Sequence, residues 1–181
     1  MSYQIGDNIS ELSLPCIDGS QFTLDQAQGK RYMLSFMRFS ACPFCQLRIH
    51  QLISHWQELD KNFTVIAVFD SPLEDLQKHT NNELAPFPIL ADEHYFYYQE
   101  FAVKQSISGM FKAMIFRMPT LLYAMIGKRY FPSSIKGKVT TLPADFLVDE
   151  NGIIESIYHA KDSGDHIPFD RVKAFASRPI N

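Results

Sequence analysis

No charge-free apolar run in this chain approaches the ~20 residues that a membrane-spanning helix needs. The opening residues, Met1 to Ser10, are polar and carry Asp7, so they do not read as a secretory signal and a cytoplasmic setting is expected. The net charge is only −3, which gives no reason to expect nucleic acid as a partner. Cysteine is scarce, three in 181 residues. Where thiols are kept reduced, a close pair of cysteines is catalytic or metal-binding rather than structural. The third, Cys16, lies alone in an apolar segment and is expected to be a small buried hydrophobe. The last absence is local: between Phe101 and Ala144 there is no acidic residue, against seven cations, so the rest of the chain carries −10.

What is present is a length and an apolar content (181 residues, 46%) sufficient for one domain with a substantial core. Its most informative run is Phe36-Met37-Arg38-Phe39-Ser40-Ala41-Cys42-Pro43-Phe44-Cys45, two cysteines three apart between an apolar stretch and a helical one. A cysteine at the first turn of a helix meets unpaired N–H groups and the positive end of the macrodipole, both of which favour thiolate. The second cysteine lies one turn on, close enough to attack a mixed disulfide formed by the first. Pro43 suits the first helical turn, where its missing N–H costs nothing. On this reasoning Cys42 is the more exposed and more acidic thiol. Cys42, Cys45, His50 and His55 also approach the spacing of a zinc knuckle. However, His50 and His55 sit five apart on a predicted helix, ~140° around its axis, with no glycines to fold the chain around an ion, and no metal is expected.

The remainder alternates strands and helices. Leu12 to Leu24 reads as a hairpin around Asp18-Gly19, and Tyr32 to Phe39 as a strand buried on both faces. A helix runs from Pro43 to about Asn62, a strand from Phe63 to Asp70, and a second helix from Ser71-Pro72 to about His79. Phe87 to Asp92 is a short strand and Glu93 to Ala102 an aromatic-rich helix. Ala144–Val148 and Ile153–Ala160 form a hairpin, and a last helix starts near Pro168. This order implies an α/β fold with a mixed central sheet covered by helices. Residues 104–141 interrupt it with one or two helices, bent at Pro119. The plainest expectation is a helical cover over part of the sheet. The alternatives are a lid over an apolar substrate, a dimer contact, or a basic amphipathic segment lying on an anionic membrane surface.

Leu14 to Leu24, the Cys42-Pro43-Phe44-Cys45 motif, Pro143-Ala144-Asp145-Phe146-Leu147-Val148-Asp149-Glu150-Asn151-Gly152-Ile153 and Gly164-Asp165-His166 together resemble the alkyl hydroperoxide reductase/thiol-specific antioxidant (AhpC/TSA) superfamily, in its peroxiredoxin-like branch. The resemblance covers nearly the whole chain outside 101–144. It implies a single thioredoxin-like domain over 1–181, with Cys42 as nucleophile, Cys45 as resolving cysteine and Pro143 as a cis-proline facing the site. It gives His166 a small claim as a neighbour of that site. The chain departs from the pattern in three places. Phe39 stands where the family has Thr or Ser, and Ser35 where it has Pro, so Ser40 would have to supply the hydroxyl from a shifted register. The family's later arginine is absent, its nearest cation being Lys138, while Arg38 points either toward Cys42 or away. Thioredoxin's buried acid is replaced by Phe36.

The expected activity is thiol-dependent reduction of peroxides or disulfides, without metal, flavin or nucleotide cofactor. Thioredoxin, glutaredoxin or glutathione would restore the dithiol. A homodimer or a weak membrane-surface contact would involve the insertion. The competing class is a non-catalytic interaction protein on the same fold, docking through 104–141.

Overall fold

Side chains alternate across an extended strand, so a strand apolar at every position must be covered on both faces. The strand expected over 32–39 is such a case and forms the centre of the molecule. The computed structural model describes residues 3–80, 85–130 and 136–179. The hairpin of β1 (Ser13–Pro15) and β2 (Gln21–Thr23) leads into β3 (Arg31–Phe36), α1 (Pro43–Ser54), β4 (Phe63–Phe69), α2 (Leu73–His79) and β5 (Ile89–Ala91). Then come α3 (Phe96–Glu100), α4 (Ile107–Phe116), α5 (Met118–Leu122), β6 (Ala144–Val148), β7 (Ile154–His159) and α6 (Phe169–Ala176). The sheet runs β5-β4-β3-β6-β7, parallel on the β4 and β5 side of β3 and antiparallel on the β6 and β7 side. This is the mixed α/β sandwich expected from the sequence.

Alternation on β3 separates two cores. Met33 faces the layer of α1 and α6, with Ile49, Leu52, Val172 and Phe175. Leu34 and Phe36 face the other layer, where the N-terminal hairpin and α3 contribute Leu14, Phe22, Tyr98 and Phe101. Cys16 bridges to Leu90 beside β5 and is buried, as expected of a small hydrophobe. The aromatic helix starts later than expected because Tyr95 takes φ 60, outside the right-handed region. Asp92 then caps it, accepting the N–H of Phe96 at 2.9 Å and of Tyr97 at 2.8 Å.

The insertion departs from its plainest expectation. It is helical and breaks at Arg117, with Pro119 in the first turn of α5, before a π-helical turn at Tyr123–Gly127. Most of the large apolar side chains on its helices, however, face solvent, while Leu121 is part-buried against the core and the small residues Gly109, Ala113 and Ala124 are the fully buried ones there. Residues 131–135 of it lie outside the described residues.

Candidate active site

β3 delivers the chain to the start of α1, where Cys42 is the N-cap, Pro43 the first helical residue and Cys45 one turn in. Neither sulfur-bearing residue has exposed surface, which corrects the expectation that Cys42 would be the more exposed thiol. Phe39, Ala41 and Phe44 are buried around them, and the segment returning from the insertion is tied down nearby.

Arg38 brings a positive charge to the site. It lies just past β3, almost fully buried, and its Nη1 donates to Cys42 Sγ at 3.4 Å. Its backbone N–H donates to Cys45 Sγ at 3.3 Å, its Nη2 donates to the carbonyl of Val139, and its guanidinium lies 5.2 Å from the Phe39 ring centre. One residue thus touches both thiols and holds the loop behind them. Burial alone would push the Cys42 thiol up. The Cys45 thiol, the Arg38 charge and the backbone N–H groups of Cys45 and Phe44 outweigh burial and bring it down to about 6. Those N–H groups act as the dipole at the helix start, without closing a full cap hydrogen bond. Cys45 moves the other way, well up, through burial and then the Cys42 sulfur beside it. The more acidic thiol is Cys42, as the helix position suggested.

The loop over the site is built on Asp70, at the end of β4. Its Oδ2 accepts from Thr141 Oγ1 at 2.9 Å and from the Lys138 N–H at 3.1 Å. Burial foremost pushes its carboxyl up to about 7, within electrostatic reach of Arg38 and Cys42. Ser71 Oγ donates to the Lys136 carbonyl at 2.7 Å. Between these ties Gly137 sits at φ 137, and a Cβ there would lie 2.4 Å from the Asp70 carbonyl oxygen, so the close approach requires glycine.

A second buried group lies on the α1 side of the sheet. Asp145 faces Ser35 across the β3–β6 pair, and Ser35 Oγ donates to Asp145 Oδ1 at 2.5 Å. Asp145 Oδ2 accepts the Ile167 N–H at 2.9 Å and lies 3.9 Å from His166 Nδ1. Burial raises the Asp145 carboxyl, and the Arg48 charge from α1 opposes that rise. The His166 side chain is only 8% exposed, and burial first, then Arg48, lower it to about 3, so it is neutral near pH 7. A buried acid therefore underlies α1 from the neighbouring strand, although Phe36 occupies the expected position. The signal was one charged residue in the otherwise apolar run Ala144–Val148.

Three expectations are corrected. No peptide bond among the described residues is cis, so Pro143 is not a cis-proline. It is buried, and its carbonyl accepts the Ala160 N–H at 3.0 Å. Ser40 does not stand in for the absent threonine: its Oγ is 3.5 Å from both Asp75 Oδ2 and His79 Nδ1. Lys138 is not the site cation; its Nζ lies 3.7 Å above the Tyr95 ring. Of the knuckle histidines, His50 lies beside Lys128 Nζ at 3.3 Å and His55 pairs with Glu58 at 2.6 Å. Among the described residues no three His, Cys, Asp or Glu side chains converge as metal ligands.

A helix N-terminus carrying an acidified thiol with a second thiol in contact defines a redox centre, and comparison with known proteins agrees. The model of the AhpC/TSA family matches residues 5–157. The chain belongs to the AhpC/TSA family. Peroxiredoxin Bcp of Escherichia coli is 30% identical over 99 residues, 54% of this chain and 64% of that one. A bcp relative from Coxiella burnetii is 23% identical over 87% of this chain and 89% of its own. The fold superposes on peroxidoxin BcpB of Mycobacterium tuberculosis with a TM-score of 0.67 at 14% identity, covering 97% of this chain and 99% of that one. It also superposes on a yeast mitochondrial 1-Cys peroxiredoxin with a TM-score of 0.68 at 14% identity, covering 94% and 73%. The chain is a peroxiredoxin-like, thiol-dependent oxidoreductase of this AhpC/TSA family, and nothing favours a non-catalytic scaffold.

Proposed function

We propose that the chain reduces peroxides with Cys42 as nucleophile and Cys45 as resolving cysteine. The observation that carries this reading is the contact of Arg38 with Cys42 Sγ, which holds a buried sulfur as thiolate next to a second thiol. The thiolate attacks one oxygen of the peroxide, the O–O bond breaks, and the departing alkoxide takes a proton to leave as an alcohol. Cys42 is left as a sulfenic acid. Cys45, deprotonated, then attacks the Cys42 sulfur, the S–S bond forms, and hydroxide leaves as water after protonation. Asp70, held near neutrality within electrostatic reach of Arg38 and Cys42, is able to hold one of the protons exchanged.

The two electrons return from an external dithiol such as thioredoxin or glutaredoxin, or from two molecules of glutathione. The yeast relative has a thiol-resolving mechanism that runs through glutathione/thioredoxin systems, which supports this class of reductant. Reduced thiols fit a cytoplasmic setting. No helix among the described residues is long and apolar enough to cross a membrane. The chain acts as one thioredoxin-like domain, with the 104–141 segment as an addition that needs no metal or organic cofactor for this cycle.

Disulfide reduction is the second reading, and Phe39 in place of the family's threonine is the observation in its favour. Without that hydroxyl the donors that stabilise the departing oxygen are fewer, so peroxide turnover should be slower than that of a dedicated peroxidase. Peroxide consumption and insulin-disulfide reduction, measured on one preparation with the same reductant, separate the two. We expect Cys42-dependent peroxide consumption to dominate. Insulin reduction without peroxide consumption would transfer the site to disulfide exchange.

A further inference from the structure

Helix α4 is amphipathic with the wrong side out. A helix packed on a globular core turns its large apolar residues inward. Here Ile107, Phe111, Met114 and Ile115, at the i, i+4, i+7, i+8 spacing of a single face, are all exposed, Ile115 at 67%. The opposite side carries Gly109 and Ala113, and it is this side that packs down, Gly109 so tightly that a Cβ would meet Leu142 Cδ2 at 2.9 Å. Past the break, Met118 and Leu122 on α5 are exposed as well, and Ile126 on the π-helical turn is 70% exposed. An exposed apolar surface of this kind on a folded body marks a docking face. It is held rigidly outward. Arg117 at the break donates from Nε to Asp162 at 2.8 Å and lies 3.5 Å from Asp165, fixing the helices to the β7–α6 connection.

Charge selects the occupant. No carboxylate lies anywhere between Phe101 and Ala144. Lys104, Lys112 and Arg129 are exposed, and none of them has a carboxylate partner among the described residues. Lys112 lies ~115° around the axis from the centre of the stripe, on its flank, where a lysine can reach up to a headgroup while the stripe is buried. A second copy of the chain fits poorly. A two-fold contact would bring this cationic face against itself with no acidic group of its own to pair. The helices are also too short to cross a bilayer: α4 has 10 residues and α5 has 5. Such a surface is built to lie in the headgroup boundary.

We propose that the face formed by α4, α5 and the turn at Tyr123–Gly127 docks the protein on an anionic membrane surface, the apolar stripe entering the headgroup region and the flanking cations meeting lipid phosphates. This does not depend on which substrate Cys42 reduces, and its test reads binding rather than turnover. The full-length protein is floated with vesicles of phosphatidylglycerol or of phosphatidylcholine, at low and at high salt. We expect flotation with phosphatidylglycerol at low salt, weakened at high salt, and little with phosphatidylcholine. Lys112→Gln should weaken binding about fivefold, the effect of one basic residue at such a surface. The double variant Phe111→Ser, Ile115→Ser should weaken it at least about tenfold through lost apolar burial. Its circular dichroism and Cys42 alkylation rate should stay as in the wild type. Failure of the wild type to float with phosphatidylglycerol at low salt overturns the proposal. So does equal binding to both lipids, or a dimer that the double variant dissolves without any vesicle binding.

Discussion

Arg38 stands two residues beyond the end of β3, where the strict alternation of a strand no longer fixes which way a side chain points. That is why the sequence left its direction open, and why the fold was needed to show it against both thiols. Its charge should be visible in the pH dependence of alkylation. Iodoacetamide reacts with the thiolate, so Cys42 labelling should rise with pH around a midpoint near 6. Arg38→Gln removes the opposing charge and should cut labelling near pH 6 about tenfold or more, with the midpoint displaced upward. An unchanged midpoint would show that the Cys45 thiol and the helix start set the Cys42 thiol without Arg38. His166 offers a second test. Folded, it is held neutral, with its titration lowered to about 3; unfolded, it titrates near ~6.5. Between those values the unfolded chain binds a proton that the native state refuses, so its contribution to stability falls on acidification. Asp70 works in the opposite sense: raised to about 7, it loses stability as pH climbs from about 4. Subtraction isolates the histidine. The unfolding free energy of the wild type minus that of His166→Leu should grow by about 1.4 kcal/mol per pH unit from pH 4 to 6 in urea titrations. A flat difference would mean His166 is not a buried neutral base.

Among the elements, β6 has the most unusual composition. It places Asp145 opposite Ser35 and within electrostatic reach of Arg48, so a strand that otherwise builds core also holds a buried acid. Asp145→Asn keeps the shape but offers one oxygen where the carboxyl offers two, to Ser35 Oγ and to the Ile167 N–H, and should cost about 1–3 kcal/mol in chemical denaturation. A loss well below ~1 kcal/mol would mean that the two hydrogen bonds do not hold β6 to β3 and to the start of α6. Strand and helix order was legible because each element announces itself locally: continuous apolar runs for β3 and β4, Pro43 and Pro168 at helix starts, Asp149 to Gly152 at the turn of the last hairpin. The insertion was not legible in the same way. Periodicity shows that Ile107, Phe111, Met114 and Ile115 share a face, but not whether that face meets the sheet or solvent. The close approach through Gly109 and Ala113 decided it, and such packing is a tertiary fact. The cis bond expected at Pro143 is absent, and the sequence could not show it for a similar reason. A proline before a strand has the same letters whether its peptide bond is cis or trans.

For the whole molecule, the thioredoxin-like frame brings three distant segments to one place: Arg38 to Cys45 at the start of α1, Asp70 and Ser71 after β4, and the 136–141 loop returning from the insertion. Both thiols are closed from solvent in this arrangement, and Arg38, which touches them, and Asp70 tie the loop down beside the site. The motif alone pointed to Cys42 and Cys45. The loop ties that accompany their enclosure join residues about 65 to 100 positions apart, which spacing within a motif does not encode. The proposed two-cysteine peroxide cycle is confined to this pair, and intact-protein and peptide mass spectrometry after a single equivalent of hydrogen peroxide reads it out. The account expects the wild type to lose two hydrogens as a Cys42–Cys45 disulfide, Cys45→Ser to gain one oxygen on Cys42, Cys42→Ser to do neither, and Cys16 to stay a free thiol throughout. Wild-type protein whose Cys42 and Cys45 both remain free thiols after peroxide, or whose oxidation falls on Cys16, would contradict it.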